Sequence, residues 1–148
     1  MKVKEIMTKE VTSILPDTNA KEALDLLEKL QISGLPVIDD KGRLVGMFTE
    51  KEVLATILPS YIEKVGRFIY EENPKTVKQK MANLRNIKVK DIMRKEVVTV
   101  DEDVALCEVA RTMLTQKVRR IPVLDKEKRL VGIIARSDVV RAYRREAE

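Results

Sequence analysis

The sequence predicts an α/β fold of the α+β kind, in which two tandem β-α-β-β-α repeats pack together with pseudo-twofold symmetry. Three observations predict it: an internal repeat, the same order of strand and helix patterns in both copies, and an aliphatic composition. The 148 residues are 44% hydrophobic but include only two Phe, three Tyr and no Trp. We therefore expect a core of Val, Ile, Leu and Met side chains.

The repeat becomes visible when the sequence is slid against itself by 86 residues without a gap. Between residues 3 and 54, 17 of 52 positions are identical in the second copy. The segment Val3-Lys4-Glu5-Ile6-Met7 returns as Val89-Lys90-Asp91-Ile92-Met93. Arg43-Leu44-Val45-Gly46 returns unchanged as Arg129-Leu130-Val131-Gly132. A match of this length indicates a tandem duplication.

Each copy carries the same predicted elements. A helical turn bearing Ile-Met precedes a β-branched run, over residues 11–14 or 97–100. A hairpin with strands 35–38 and 43–48 and a helix from Glu50 or Arg136 close each unit. Between run and hairpin lies an amphipathic helix with one apolar face, formed by Ala20, Ala23, Leu24, Leu27 and Leu30, or by Leu106, Val109, Ala110 and Met113. About 55 residues bury too little apolar surface to be stable alone, so the copies are expected to pack on each other.

The predicted domain organisation is repeat 1 over residues 1–58, a helical insert over 59–87 and repeat 2 over 88–148. Apolar residues at helical spacing predict a helix that ends at Asn73-Pro74; they are Tyr61, Ile62, Val65, Phe68 and Ile69. Val77, Met81 and Leu84 indicate a second helix. Three of the five aromatic residues lie in this insert. They either pack against their own module or form a dimer or partner surface.

The residues that are missing exclude several functions. Because there is no His, neither a Ser-His-Asp triad nor a His-bearing zinc site is possible. Cys107 is the single cysteine, so no intramolecular disulfide forms, and this usage fits a reducing compartment. Apolar runs reach about six residues, well below the roughly 20 of a membrane span. We expect a cytoplasmic, non-enzymatic protein that has no metal, no cofactor and no membrane partner.

The repeat resembles a CBS domain, and the chain as a whole resembles a CBS-domain pair, or Bateman module, in standalone form. The resemblance lies in the Ile-Met segment and in the Gly-apolar-apolar-x-x-x-acid ending of each copy. It also lies in two strand segments, Ser33-Gly34-Leu35-Pro36-Val37 and Arg119-Arg120-Ile121-Pro122-Val123. The resemblance covers about 115 residues and implies a regulatory protein that pairs into homodimers. It also implies an adenine nucleotide or adenosyl ligand in clefts between the repeats.

The ligand motif of that family is Gly-apolar-x-Thr/Ser-x-x-Asp at a strand-to-helix turn. A glycine allows close approach of a ligand or backbone, helix N-terminal amides suit phosphate, and a carboxylate can accept the ribose hydroxyls. In the first copy the corresponding residues are Thr49 and Glu52, which also form an ordinary capping box. In the second copy Ala135 lacks the hydroxyl but Asp138 is kept. Ser137 either caps the helix or contacts the ligand, and Arg136 either meets a phosphate or is solvated.

The resemblance also implies which residues line the ligand. Adenine commonly lies against the first strand and the residues before the proline, which here are Ile14, Ile32, Ser33 and Gly34, or Val100, Val118, Arg119 and Arg120. The second copy holds nine arginines and the first copy one. An Arg guanidinium binds phosphate through two N–H groups at once. We therefore expect ligand binding in the cleft of Asp138 in preference to the cleft of Glu52. The ligand is expected to be AMP, ADP, ATP or an adenosyl compound.

Three other functions remain as alternatives. The net charge of +5 and a pI of about 9.3 allow nucleic-acid binding, but the excess is spread out and no recognised motif is present. An enzyme would need a convergent nucleophile and base, which the sequence does not provide. A structural dimerisation module with decayed ligand sites is the serious rival, because both ligand motifs are imperfect. The regulated partner protein is not identified by the sequence.

Overall fold

The computed structural model describes residues 1–58 and 74–148. After a 3-10 turn over Val3–Glu5, the first copy forms α1 (Ala20–Leu30), β1 (Gly34–Ile38), β2 (Leu44–Thr49) and α2 (Glu50–Ile57). Helix α3 (Pro74–Asn83), a 3-10 turn over Leu84–Asn86 and α4 (Val89–Ile92) follow. The second copy forms β3 (Val100–Asp101), α5 (Leu106–Gln116), β4 (Arg120–Leu124), β5 (Leu130–Ala135) and α6 (Arg136–Glu146). This confirms the predicted α+β class.

The two hairpins have the same register. Strand β1 pairs antiparallel with β2, and β4 pairs antiparallel with β5, with a register irregularity at Val37/Ile38 and again at Val123/Leu124. In each copy the first residue of the hairpin lies opposite the last, so Gly34 faces Thr49 and Arg120 faces Ala135. Since α2 and α6 begin directly after these residues, each hairpin brings a strand start next to a helix start.

The β-branched runs form less strand than the sequence predicts. Residues 11–14 contribute one parallel bridge, from Ile14 to Val37, and the second run contributes the two-residue strand β3, parallel to β4. The reason is the path of the chain. Thr8 is hydrogen-bonded to Ile133 in the second copy and Ile14 is bridged to Val37 in the first, so residues 8–14 cross from one repeat to the other.

Each Ile-Met segment packs on the other repeat. The Val3 amide donates to the Val104 carbonyl at 2.9 Å, and the Val89 amide donates to the Thr18 carbonyl at 2.8 Å. Lys4 Nζ lies 2.9 Å from Asp103 Oδ1, while Lys90 Nζ lies 3.1 Å from Asp17 Oδ1. Every residue of one contact is 86 positions from its counterpart in the other, so the repeats exchange these segments reciprocally.

The exchange explains the glycine that both copies share. A methyl group on Gly46 would lie 2.6 Å from Met93 Sδ and 2.9 Å from the Arg94 carbonyl oxygen. A methyl group on Gly132 would lie 2.8 Å from Met7 Cγ and 3.0 Å from the Thr8 carbonyl oxygen. The sequence allows this glycine to admit either a ligand or a neighbouring backbone segment. The structure supports the second, because the other repeat's Ile-Met segment lies against it.

Buried hydrophobic side chains form two core clusters, one in each repeat. Their buried members include Leu27, Leu35 and Phe48 in the first, and Met113, Ile121 and Ile134 in the second. Val89 belongs to the first cluster and Val3 to the second, which confirms the packing of the copies on each other. The helix faces are as predicted except for Leu30, which is 40% exposed because it lies in the last turn of α1.

The second predicted insert helix is present as α3, with Leu84 buried in the turn that follows it. The first predicted insert helix, with Tyr61 and Phe68, and the surface proposed for its aromatic residues lie outside the described residues.

An aspartate clamps each hairpin turn. Asp39 Oδ1 accepts the amides of Lys41 and Arg43, and Asp39 Oδ2 accepts from Arg43 Nε, all at 2.9 Å. Asp125 repeats these contacts with Glu127 and Arg129 at the same distances. The hydrogen bond from the arginine amide four residues later is the main reason that the pKa of each carboxyl lies below its usual value.

We predict that Gly46→Ala destabilises the protein by about 1–3 kcal/mol, because the new methyl overpacks the contact with Met93. Chemical denaturation of Gly46→Ala, Met93→Ala and the double variant measures this. The double variant is expected to lose less than the sum of the single variants, because removing Met93 makes room for the methyl. Wild-type stability in Gly46→Ala, or strict additivity, would contradict the close contact.

We predict that the aspartate clamps make stability depend on acid. The folded-state pKa of Asp39 and Asp125 is lowered, so their contribution is present above the unfolded pKa and is lost as pH falls through the folded value, from about pH 5 downward. Urea titrations at pH 7, 5, 4 and 3 should show a smaller loss of stability in Asp39→Asn/Asp125→Asn than in wild type. Asp40→Asn, in the same turn, is the matched control and should keep the wild-type pH profile.

Candidate functional site

The residues expected to bind ligand gather at the corner where each hairpin starts and the closing helix begins. In the first copy this corner consists of Ser33, Gly34, Thr49 and Glu52. A methyl group on Gly34 would lie 3.0 Å from Thr49 Cγ2, which shows how closely the two chain segments approach. In the second copy the corner consists of Arg119, Arg120, Arg136, Ser137 and Asp138. The hairpin register therefore brings together residues that are 15–19 positions apart.

The first corner is closed on itself. Thr49 is the N-cap of α2, and its hydroxyl oxygen accepts the Lys51 amide at 3.2 Å. Glu52 Oε2 accepts the Thr49 amide at 3.2 Å and the Thr49 hydroxyl hydrogen bond as well. Glu52 is 9% exposed. The capping box that the sequence allows is thus formed, and both of its hydrogen bonds to Glu52 use Oε2.

The second corner is more open. Asp138 Oδ2 accepts the Ala135 amide at 2.8 Å, which satisfies the start of α6, while Oδ1 lies 3.4 Å from Arg141 Nη1. The Asp138 side chain is 18% exposed and that of Arg141 is 58% exposed. Ser137 is the second residue of α6 and Ala135 holds the N-cap position, so the alternative that Ser137 caps the helix is wrong. Since the Arg141 contact is long and solvated, Oδ1 remains available to a ligand.

Three arginines surround the second corner. Arg136 donates from its amide to the Arg119 carbonyl at 2.9 Å and from Nε to the Val118 carbonyl at 3.3 Å. Arg120 Nη1 donates to Ser33 Oγ of the first copy at 2.8 Å. Within residues 1–58 and 74–148, Arg119, Arg120 and Arg136 form no ion pair, whereas Arg129 and Arg141 do. With three arginines and the single carboxylate of Asp138, the corner carries an excess of positive charge at the boundary between the repeats.

The aliphatic residues expected against adenine lie at the edge of the cores. Ile14 is 7% exposed and belongs to the first core cluster. Ile32 is half-buried against the same cluster, and Val100 and Val118 are half-buried against the second. Ile14 therefore has the least surface to offer a ligand, while Ile32, Val100 and Val118 have more.

A cavity of about 330 Å³ reaches Asp138 from the side of the exchanged segment. It is lined by Met1, Glu5, Ile6, Asp138, Arg141, Ala142, Arg145 and Glu146. Sequence reasoning missed Arg141, although its spacing of three residues from Asp138 on a helix is a signal for such a pair. It also missed Glu5 and Ile6, because no local pattern shows that the first segment crosses to the second repeat.

Other chemistry is limited in the part of the chain that the structure describes. No cluster of three or more His, Cys, Asp or Glu side chains there is arranged to hold a metal ion. Cys107 is exposed on α5. No helix among the described residues is long and apolar enough to cross a bilayer.

Comparison with known sequences gives a consistent result. A model of the CBS domain matches residues 3–59 and 89–145. The chloroplastic CBS domain-containing protein CBSX1 of Arabidopsis thaliana is 37% identical over 148 residues, covering 95% of this chain and 63% of CBSX1. Inosine-5'-monophosphate dehydrogenase of Methanocaldococcus jannaschii is 34% identical over 140 residues, covering 95% of this chain. The chain spans 23% of the dehydrogenase, about a quarter of its length.

Solved structures show the same likeness. CBSX2 in complex with AMP superposes with a TM-score of 0.75 at 29% identity, covering 99% of this chain and 98% of CBSX2. The CBS domain pair of protein MJ0100, in complex with 5-methylthioadenosine and S-adenosyl-L-methionine, superposes with a TM-score of 0.66 at 26% identity, covering 97% and 99%. The repeat arrangement is thus the one found in these pairs.

We predict that the carboxylates of Glu52 and Asp138, at the starts of α2 and α6, contribute unequally to the free energy of unfolding. Glu52→Ala removes the partner of two Thr49 groups at a buried position and should cost about 1–2 kcal/mol of unfolding free energy, whereas Asp138→Ala should cost about 0.5–1 kcal/mol. Urea denaturation measures both, and Glu52→Gln and Asp138→Asn, which keep an acceptor oxygen, are the controls. An Asp138→Ala loss larger than that of Glu52→Ala would contradict the contrast between the corners.

Proposed function

Because the chain belongs to the CBS-domain family, we propose that it is a regulatory module that binds an adenine nucleotide at the boundary between its two repeats. AMP, ADP and ATP are the ligands proposed first, and other adenosyl compounds are the related class. The ligand acts as a signal and not as a cofactor. Binding changes the relation between the repeats, and a homodimer of the module passes that change to a regulated protein.

The observation that carries this proposal is the group of three arginines without ion pairs beside Asp138. Arg119 directly precedes β4, Arg120 begins β4 and Arg136 begins α6, so three arginines lie at one corner. Like charges close together repel, and an anion between them relieves that repulsion. Guanidinium groups bind phosphate through paired N–H groups. The corner therefore favours a ligand that carries phosphate.

Asp138 supplies the second half of the recognition. Its Oδ2 is used at the helix start, but Oδ1 has only the long contact with Arg141. A ribose hydroxyl that donates to Oδ1 replaces this solvated pair, which is worth little by itself. The half-buried side chains of Val100 and Val118 offer an apolar surface for a base. Phosphate, ribose and base thus each have a chemically suitable neighbour in the second corner.

The relatives support the ligand class. CBSX2 has been crystallised with AMP, and MJ0100 with two adenosyl compounds. S-adenosyl-L-methionine carries a positive sulfonium, which the arginines would repel, so we place it below the nucleotides for this chain. The dehydrogenase relative matches over 23% of its length, so its chemistry is not assigned to this chain, and we propose a regulatory and not a catalytic role.

A structural dimerisation module with decayed ligand sites is the second candidate. The first corner favours it, since Thr49 and Glu52 satisfy each other, and so does Ala135, which has lost the hydroxyl of the motif. Ligand binding separates the two candidates directly.

We predict that AMP, ADP or ATP raises the melting temperature of the wild-type protein more than S-adenosyl-L-methionine or NAD does. At 100 times the dissociation constant, the expected stabilisation is about 2.7 kcal/mol. In Arg119→Ala/Arg120→Ala the nucleotide shift should fall strongly, and in Asp138→Asn, which keeps the cap acceptor, it should fall for every adenosyl ligand. Glu52→Gln is the matched control and should keep the wild-type response. No shift with any ligand would favour the structural module.

A further inference from the structure

The outer helix faces of the two repeats differ in charge although they are related by the 86-residue repeat. The first-repeat face consists of Asp25 and Glu28 on α1, Leu54 on α2 and Leu58 directly after α2. The second-repeat face, on α5 and α6, consists of the counterparts Arg111, Leu114, Val140 and Arg144. Both faces are apolar at their centre, since Leu54 is 54%, Leu58 50%, Leu114 74% and Val140 66% exposed. Exposed aliphatic side chains of this size on neighbouring helices indicate a contact surface.

The charges on the two faces are opposite. Among the described residues, the guanidinium groups of Arg111 and Arg144 and the carboxylate of Glu28 have no ion pair, and Asp25 pairs with Lys21 at 2.9 Å on the surface. At the Asp25 position of the repeat, the second copy therefore carries the opposite charge. Glu28 adds a second carboxylate to the first-repeat face, where the second copy has Leu114, and Arg144 adds a second guanidinium to the second-repeat face, where the first copy has Leu58.

We propose that the occupant of these faces is a second copy of this chain, bound head to tail, so that the second-repeat face of each protomer covers the first-repeat face of its partner. This rests on the homodimer of the proposed function and adds its orientation. A head-to-tail pair around a twofold axis makes the contact twice and closes the assembly. Leu114 and Val140 then meet Leu54 and Leu58, and Arg111 and Arg144 approach Glu28 and Asp25.

The head-to-head arrangement is disfavoured by the same residues. It would place Arg111 and Arg144 against the Arg111 and Arg144 of a second protomer, and Asp25 and Glu28 against their own copies. Like charges placed opposite each other suppress a pairing, and complementary charges fix its register. The apolar centres are similar in both arrangements, so charge decides between them.

A charge-swap series tests the orientation. Sedimentation equilibrium would measure the dimer dissociation constant of wild type, Arg111→Glu, Glu28→Arg and the double variant. Each single variant should weaken the dimer about tenfold at low salt, because two exposed pairs become repulsive, and the double variant should return to within about threefold of wild type. Lys95→Glu, a charge reversal outside both faces, should leave the constant unchanged. Additive effects of the two reversals in a dimeric protein would overturn the head-to-tail arrangement.

The same samples distinguish a protein that does not form a homodimer from one whose homodimer is not head to tail. If wild type sediments as a monomer at every concentration, the homodimer itself fails, and with it the orientation. The nucleotide response is read from the melting temperature of Arg111→Glu, which lies outside the ligand corner and should respond to AMP like wild type. A nucleotide response in a dimer whose charge swap shows no rescue would remove the orientation and leave the proposed function standing.

Discussion

The reciprocal exchange of the Ile-Met segments is the interaction on which the rest of the structure depends. Neither hairpin is covered by its own segment: Met93 lies over Gly46 and Met7 lies over Gly132. Backbone hydrogen bonds then join Thr8 to Ile133 and Arg94 to Met47. Because about 55 residues form a marginal core, each repeat needs the segment of the other. The relative position of the two corners is consequently set by the same contacts that stabilise the fold.

Duplication fixes the backbone of both corners but leaves their chemistry free to differ. The register that places Gly34 opposite Thr49 also places Arg120 opposite Ala135. At this shared geometry both carboxylates accept the amide of their own N-cap residue. Glu52 also accepts the Thr49 hydroxyl and is buried, whereas Ala135 has no hydroxyl and the second oxygen of Asp138 has the long contact with Arg141. The hydroxyl of the N-cap residue is therefore the main difference between the two helix starts.

The sequence predicts what periodicity and repeat spacing encode. Ala20, Ala23 and Leu27 recur at helical intervals, and the paired strands flank a turn with Asp39 or Asp125, so α1 and the hairpins follow from local pattern. The exchange of segments does not follow, because Val3 and Val89 lie in helical turns too short to show a period. Within the site, Asp138 and Arg120 are found from the motif. Their surroundings, including Arg141 and the crossing to Ser33, depend on which repeat each segment packs against.

The contacts between the repeats are unequal along the hairpins, which matters for the regulatory role proposed above. At the turn end, the Leu44 amide donates to the Lys128 carbonyl at 3.2 Å and the Leu130 amide donates to the Gly42 carbonyl at 2.9 Å. At the other end, about 13 Å away along β1, an exposed hydrogen bond joins Arg120 to Ser33. Paired backbone bonds resist separation, whereas a solvated side-chain bond exchanges easily with a ligand. A phosphate that draws Arg120 away from Ser33 would therefore change the spacing at the corner end while the turn end stays joined. In the function proposed above, a hinge of this kind would convert a ligand contact into a movement of the helix faces.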